Sequence, residues 1–495
     1  MNATTACREA LRHVVARHPW VVALDVLASA TPLVETLFSL GAPRVMALGA
    51  YRGTGPLPDP SRVPTACLDL PPADLMTSLR AADAALSELP PELRAAVDRF
   101  DPTHEARVVG TIFSSGRPVA DRPVWGARPS DWQSLEDKTT VDALWDAAGI
   151  RRAPSRVVPV EGLPFETALQ RLAEAATALD RGDGTVWAVD NRQGFHGAAQ
   201  GLRWVREPYG PEGERACRFV LDRAHRVRVM PFLEGIPCSI HGWVFDTPFL
   251  DETGATTHTL SFRPCEMVVL RAPSQGTFIY AQAATFWDPP ELDRIAMRAL
   301  ARRVGDCLHA TVGYRGVFTV DGVLSAEGFL PTELNPRFGA ALAVLGRSLP
   351  ELPLYLLHLA TVEGELQGVD PLSLERTVLA HADAQRQGGC ARVLEVGTST
   401  ERTGRLYETP KGYALNDEET PAPEGGIPVG TVRLGPHASG TFLQVSFDPT
   451  RVPKGPSVAP RVVEALRAIE RAWRLPMGEM EVPVDVRAKG ASLRP

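Results

Sequence analysis

Thr332-Glu333-Leu334-Asn335-Pro336-Arg337 decides the fold, read together with Gly316-Val317-Phe318-Thr319-Val320-Asp321. Both runs read as short strands. The stretch 317–320 is mostly apolar and β-branched, and 329–334 follows a Gly-containing turn. Successive strand side chains point to opposite faces, so Glu333 and Asn335 share one. If the runs pair as a hairpin about Ser325 to Gly328, Asp321 lies near Glu333. Two carboxylates and an amide oxygen then form one patch, with Arg337 just beyond. Hard oxygen ligands of this kind suit Mg²⁺, which keeps open positions for phosphate oxygens. Asp321, Glu333 and Asn335 are therefore the expected metal ligands. The plain alternative is a solvated hairpin face. It suits Asp321 alone better than a strand bearing Glu, Asn and Arg at alternate positions, which calls for a ligand.

The chain has 495 residues, enough for three or four subdomains of ordinary size. With 44% hydrophobic and 22% charged residues it reads as an ordinary soluble globular protein. A net charge of −7 offers no general basic field, so nucleic acid is not an expected partner. No run approaches the length of a membrane span, and Met1 to His18 has no continuous apolar core of a signal peptide. The seven cysteines are scattered without a Cys-x-x-Cys pair, which points to reduced thiols in the cytoplasm. Cys238 and Cys265 read as buried small residues. Lysine occurs only at Lys138, Lys411, Lys454 and Lys489, so a lysine in a motif position is informative.

Residues 1–130 read as an α/β unit. Trp20 to Leu24 is a buried parallel strand, Thr31 to Leu40 a helix and Arg44 to Leu48 the next strand. This order suggests a Rossmann-like fold. No Gly-x-Gly-x-x-Gly follows the first strand, and Gly53-Thr54-Gly55-Pro56 reads as a turn that could also touch substrate. Asp137-Lys138-Thr139-Thr140 opens a helix, with Asp137 as its cap and Gly149 as its stop. Phe165 to Leu179 is an amphipathic core helix. Thr185 to Asp190 is a strand running into a loop whose glycines at 194, 197 and 201 give amides able to cover phosphates.

Arg226 to Gly235 and Ser239 to Phe245 read as consecutive strands. Leu260 to Leu270 is a strand bearing Arg263 and Glu266. The planar fork of Arg263 suits a phosphate or carboxylate, or else an ordinary ion pair. Pro290 to His309 is a long helix with Leu292, Ile295, Ala299, Val304 and Leu308 facing the core, ended by Gly313. His309 is a satisfied helix-end residue. Gly339-Ala340-Ala341 allows either close approach of a substrate or close packing. Further on come a helix at 350–361, strands at 430–434 and 442–447, an exposed Pro-rich loop at Glu418 to Gly426 and a last helix at 459–473.

The order Asp321, then Glu333-Leu334-Asn335-Pro336-Arg337, resembles the metal-binding end of the ATP-grasp superfamily. Asp137-Lys138, a helix, then Ala-Gly-Ile and a Pro resembles the entry to its nucleotide-binding half. The resemblance covers roughly residues 131–365. It implies an α/β (α+β) chain, an ATP-grasp fold preceded by a Rossmann-like N-terminal domain. The expected divisions are 1–130, 131–225 and 226–365, then a C-terminal α/β region at 366–495.

The resemblance also implies ATP and Mg²⁺ as cofactors. Lys138 would contact an ATP phosphate, and Gly194 and Gly197 belong to the loop that closes over ATP. Met230, Phe232 and Leu233 lie in the hinge strand that binds adenine through its backbone, and Glu234 would reach the ribose. Arg337, with Arg263, would contact the transferred phosphate or the acyl phosphate. One departure is plain: Asp190 stands where the family usually has a second phosphate-binding lysine, so either Arg192 or His196 supplies that charge or the nucleotide is posed differently.

The implied activity joins a carboxylic acid to an amine, an amino acid or peptide, through an acyl phosphate. The narrower branch is that of peptide ligases of secondary metabolism, with a homodimer allowed. A carboxylase-like chemistry and a nucleotide-binding regulatory protein without turnover are the alternatives.

Overall fold

A computed structural model describes residues 2–71, 73–114, 116–398, 400–417 and 422–487. Residues 418–421 of the expected Pro-rich loop lie outside the described residues. The chain is a mixed α/β protein with four sheets among the described residues. The first is parallel, in the order Thr65–Cys67, Val45–Tyr51, Trp20–Val26, Arg107–Val109. Such a sheet is buried on both faces, which is why Trp20, Val21 and Val22 are fully covered. The chain leaves Trp20–Val26 toward one side and returns on the other at Arg107–Val109. That switch point leaves a crevice at the carboxyl ends of the strands.

Two antiparallel sheets follow. The smaller orders Arg156–Pro159, Arg226–Pro231, Thr185–Val189 and Leu202–Val205. It is backed by helices Phe165–Leu179 and Pro211–Leu221, and Leu172, Ala176, Val220 and Val229 close the core between them. The larger sheet is centred on Ile236–Leu250, which pairs with Gly316–Ser325, and that strand pairs in turn with Gly328–Asn335. This layout of a parallel unit and two α+β halves is the architecture that the ATP-grasp resemblance implies.

Three expectations are corrected. The strand expected at Leu260 to Leu270 is broken into Thr256–Ser261 and Cys265–Ala272, because Pro264 has no N–H to give a ladder. In the long helix Glu291–Val312, Leu292 is 80% and Ile295 55% exposed, and Ala299 is exposed too. The buried stripe is Met297, Leu300, Ala301, Val304 and Leu308, with Asp293 buried against Arg487. Met297, Leu300, Val304 and Leu308 follow each other at helical spacing and fix the phase. Asp137 does not cap its helix. It accepts from the Thr139 amide (2.8 Å) and hydroxyl (2.7 Å) in a turn, and the helix Val141–Ala147 starts later.

The C-terminal part packs a five-stranded antiparallel sheet of strands between Gly389 and Phe447 against the helix Ala459–Trp473. Glu266, fully buried on Cys265–Ala272, holds that helix. Its carboxylate accepts from the Ser457 hydroxyl (2.5 Å) and the Val458 amide (2.8 Å). Burial, partly offset by these bonds, pushes its carboxyl from 4.5 up to about 7. A carboxyl raised on folding stabilises the protein fully below its unfolded pKa, and that contribution is lost as pH rises through the folded value. Urea unfolding of the wild type and of Glu266→Gln should therefore diverge with pH. Between pH 5 and 8 the wild type loses up to about 3 kcal/mol relative to the variant. A difference that stays flat with pH would contradict this role.

Candidate active site

The hairpin forms as expected, and Asp321 lies directly opposite Glu333, with Thr319 opposite Asn335. The other face of these strands is apolar: Val320 is fully buried and Leu334 1% exposed. The register therefore fixes the carboxylates on the polar face. Asp321 Oδ1 accepts from the Ser239 hydroxyl at 2.5 Å, and its Oδ2 accepts from Asn335 Nδ2 at 2.8 Å. Glu333 Oε1 accepts from Lys138 Nζ at 2.7 Å. Burial and the neighbouring Glu333 charge raise the Asp321 carboxyl to about 7, against the pull of Ser239, Arg337 and Lys138.

A second chain of contacts runs on from the amide. Arg337 Nη2 donates to Asn335 Oδ1 at 2.7 Å, and Arg337 Nε to Glu136 Oε1 at 3.2 Å. Arg128 closes on the same Glu136 oxygen. Glu136, Arg128 and Arg337 are all at most 8% exposed. The cations hold Glu136 below the usual carboxylate range despite its burial. The Tyr280 phenol stands nearby: burial and then Asp321 push its pKa up. Glu136, Asp321 and Glu333 thus face Arg128, Lys138 and Arg337. Two adjacent carboxylates, one with a raised pKa, are a donor set that fits a divalent cation. Asn335 turns its oxygen to Arg337 and its nitrogen to Asp321, and Asp321 and Glu333 are the acidic pair that could hold a divalent cation.

Of the residues expected to contact nucleotide, Lys138 is 8% exposed. Asp190 is a structural residue here. Its carboxylate accepts from the amides of Arg192 (3.1 Å), His225 (3.0 Å) and Arg226 (2.8 Å). His196 Nε2 is 3.0 Å from the Asp190 carbonyl, and burial, with Lys138 and Arg80 nearby, lowers its pKa. The Arg192 side chain is exposed. Gly194 needs its glycine, with φ +93°, whereas a Cβ at Gly197 would meet only Met76 at 3.7 Å.

Hinge residues Met230 and Phe232 are buried. Phe232 stacks on Trp204, centroids 4.5 Å apart, and its amide is bonded to Gly184. Leu233 packs beside Met230, Ala153 and Leu330. The Glu234 carboxylate is taken up by Arg271 (2.9 Å) and by the Val484 amide (3.2 Å).

Arg263 is not brought to the patch. It is 1% exposed, bound to Asp288 and Asp383, and donates to the Trp287 carbonyl at 3.0 Å. Arg386 shares both carboxylates. The sequence reading missed Ser239, Glu136, Arg128, Tyr280 and Arg228. Arg228 is tied to Asp142 (2.6 Å) and to the Thr332 carbonyl (3.0 Å). Two of these left a signal: Glu136 immediately precedes Asp137-Lys138, and Ser239 opens a run already read as a strand.

No family model and no curated protein sequence matches the chain. Solved structures do. The N5-carboxyaminoimidazole synthase of Aspergillus clavatus, solved with ADP and 5-aminoimidazole ribonucleotide, is 12% identical with TM-score 0.48, covering 92% of this chain and 99% of that one. The D-alanine-D-alanine ligase of Coxiella burnetii is 15% identical with TM-score 0.36, covering 56% and 72%. Rhizobium etli pyruvate carboxylase is 14% identical with TM-score 0.46, covering 94% of this chain and 37% of that one. These values are low, and the function proposed below is carried by the chain's own residues.

Glu136 is the hinge of the cation chain. In Glu136→Gln two buried guanidiniums lose their charge partner, which should cost about 3 kcal/mol or more in urea unfolding. A loss below about 1 kcal/mol would mean that Arg128 and Arg337 are not held through it.

Proposed function

We propose that this chain is an ATP-dependent, ADP-forming ligase that joins a carboxylic acid to an amine through an acyl phosphate. The observation that carries this reading is the Asp321–Glu333 pair, flanked by Lys138 on one side and the Asn335–Arg337–Glu136–Arg128 chain on the other. Three carboxylates and three cations nearly balance, so the site alone lacks the positive charge that a triphosphate demands. Asp321 and Glu333, with Asn335, would hold Mg²⁺, which would supply that positive charge at the phosphates. The remaining work falls to the chain's own residues.

The substrate carboxylate oxygen attacks the γ-phosphorus, forming a P–O bond as the β–γ bridge breaks and ADP leaves. Lys138 and Arg337 offset the repulsion between carboxylate and phosphate. The amine then attacks the acyl carbon, the acyl C–O bond breaks, phosphate departs and the amine gives up a proton. The loop at 194–201 would exclude water from the acyl phosphate.

Four units are proposed, 1–130, 131–225, 226–365 and 366–495. The sheets at 20–109, 236–335 and 389–447 each fall within one of these units, whereas the smaller sheet crosses the 225/226 boundary through its strand Arg226–Pro231. Peptide-bond formation in secondary metabolism is the narrower reading we favour, in the cytoplasm. A regulatory binder was suggested by Asp190, but that carboxylate is occupied by backbone amides and says nothing against turnover.

The test is a screen of amino-acid pairs for phosphate release with Mg²⁺–ATP, with nucleotides separated by chromatography. ADP with one acid–amine pair is expected, and AMP with pyrophosphate would overturn the acyl-phosphate reading. Phosphate release that needs bicarbonate and no second amino acid would favour carboxylase-like chemistry. Glu333→Gln keeps the shape and removes one charge. It should lower turnover by ~100-fold or more, with the circular-dichroism melt preserved. Unchanged turnover would remove Glu333 from the metal site.

A further inference from the structure

Phe113 has no part in the mechanism above, yet it touches two of its components. Its ring stacks on Phe195 of the glycine loop, with centroids 4.4 Å apart and planes 8° apart. The Arg337 guanidinium carbon lies over the same ring, 4.6 Å from its centroid. Phe113 belongs to the segment after Arg107–Val109, at the carboxyl ends of the N-terminal parallel strands. That segment is held by local hydrogen bonds. The Phe113 amide donates to Thr111 Oγ1 at 3.1 Å, the Thr111 amide to Ser114 Oγ at 2.8 Å, and the Tyr355 hydroxyl to the Gly110 carbonyl at 2.7 Å.

The glycine loop, by contrast, is held from outside. Arg80, from helix Leu75–Ser87, donates to the Phe195 carbonyl at 3.2 Å. Ala198 and Ala199 adopt φ of +52° and +62°, a conformation that alanine keeps only when its surroundings impose it. One side of the stack is therefore a hydrogen-bonded turn and the other a loop with two alanines at positive φ.

We propose that Phe113 is a positioning residue. It seats the glycine loop through Phe195 and orients the Arg337 guanidinium, so that the N-terminal unit and the nucleotide loop close together. The narrow crevice beside it is lined by Gly110, Thr111, Ser114, Arg128 and Arg337. That this seating serves coverage of the phosphates rests on the ligase reading.

Hydrogen exchange of residues 191–201 tests this in the full chain, for wild type, Phe113→Ala and Phe113→Tyr, with and without a non-hydrolysable ATP analogue and Mg²⁺. In the unliganded Phe113→Ala protein this loop should exchange roughly two- to tenfold faster, while Phe113→Tyr stays near wild type. The KM for ATP should rise in Phe113→Ala more than kcat falls. Unchanged exchange in Phe113→Ala overturns the proposal. So does faster exchange spread over the whole chain, or an equal change in Phe113→Tyr. If the analogue protects nothing in the wild type, the nucleotide reading fails instead, and the unliganded comparison alone decides the tether.

Discussion

Two like charges held directly across one strand pair are the constraint on which the centre of this protein depends. Asp321 and Glu333 face each other in an antiparallel register, an arrangement that destabilises a sheet when left uncompensated. The strands cannot slip to relieve it, because a shift of one residue would expose Val320 and Leu334 and bury the acids. The repulsion is met locally instead. Lys138 takes Glu333, and Ser239 and Asn335 take Asp321. Asp321 still carries a raised pKa. Burial is the larger cause of that shift and the Glu333 charge the second.

Compensation of this kind also joins the units. Lys138 reaches the hairpin from the segment ahead of helix Val141–Ala147, and Arg128 and Glu136 reach Arg337 from the same side. Arg228, on a strand of the smaller sheet, donates to Thr332 of the larger one. Each link is a charge-assisted bond with little exposed surface, so each depends on the relative placement of elements far apart in sequence. The chain order Asn335–Arg337–Glu136–Arg128 makes the guanidinium of Arg337 a fixed group with one preferred direction.

What the sequence revealed follows from the range of the forces involved. The hairpin was legible because alternation and the turn at 325–328 are local signals. The helices at 165–179 and 459–473 were legible for the same reason, with an apolar stripe at helical spacing inside each segment. The face of Glu291–Val312 was misread because Leu292 and Ile295 are apolar yet lie outside the stripe that the sheet covers, and only tertiary packing settles that. Arg263 was placed at the site on its chemistry alone. Its partners Asp288 and Asp383 are distant in sequence, and no local pattern announces them. Glu136 and Arg128 were missed for the same cause. Asp190 was legible as a departure from the family pattern, but its reason was not, since the amides it serves lie on another strand.

The C-terminal segment adds a constraint of its own on the hinge. The Arg271 amide and carbonyl pair with Glu481, at 2.9 and 2.8 Å. The Arg271 side chain grips Glu234, which also accepts from the Val484 amide. Arg487 then forks onto Asp293 of the long helix at 2.6 Å. A hinge strand meant to bend freely would not have its terminal carboxylate bound from two directions. Both partners of Glu234 are mutually anchored, so opening the two halves at the hinge must either carry residues 481–487 along or break these bonds together. The segment is therefore tied to the larger sheet, whereas the glycine loop makes contacts to the N-terminal part through Phe195.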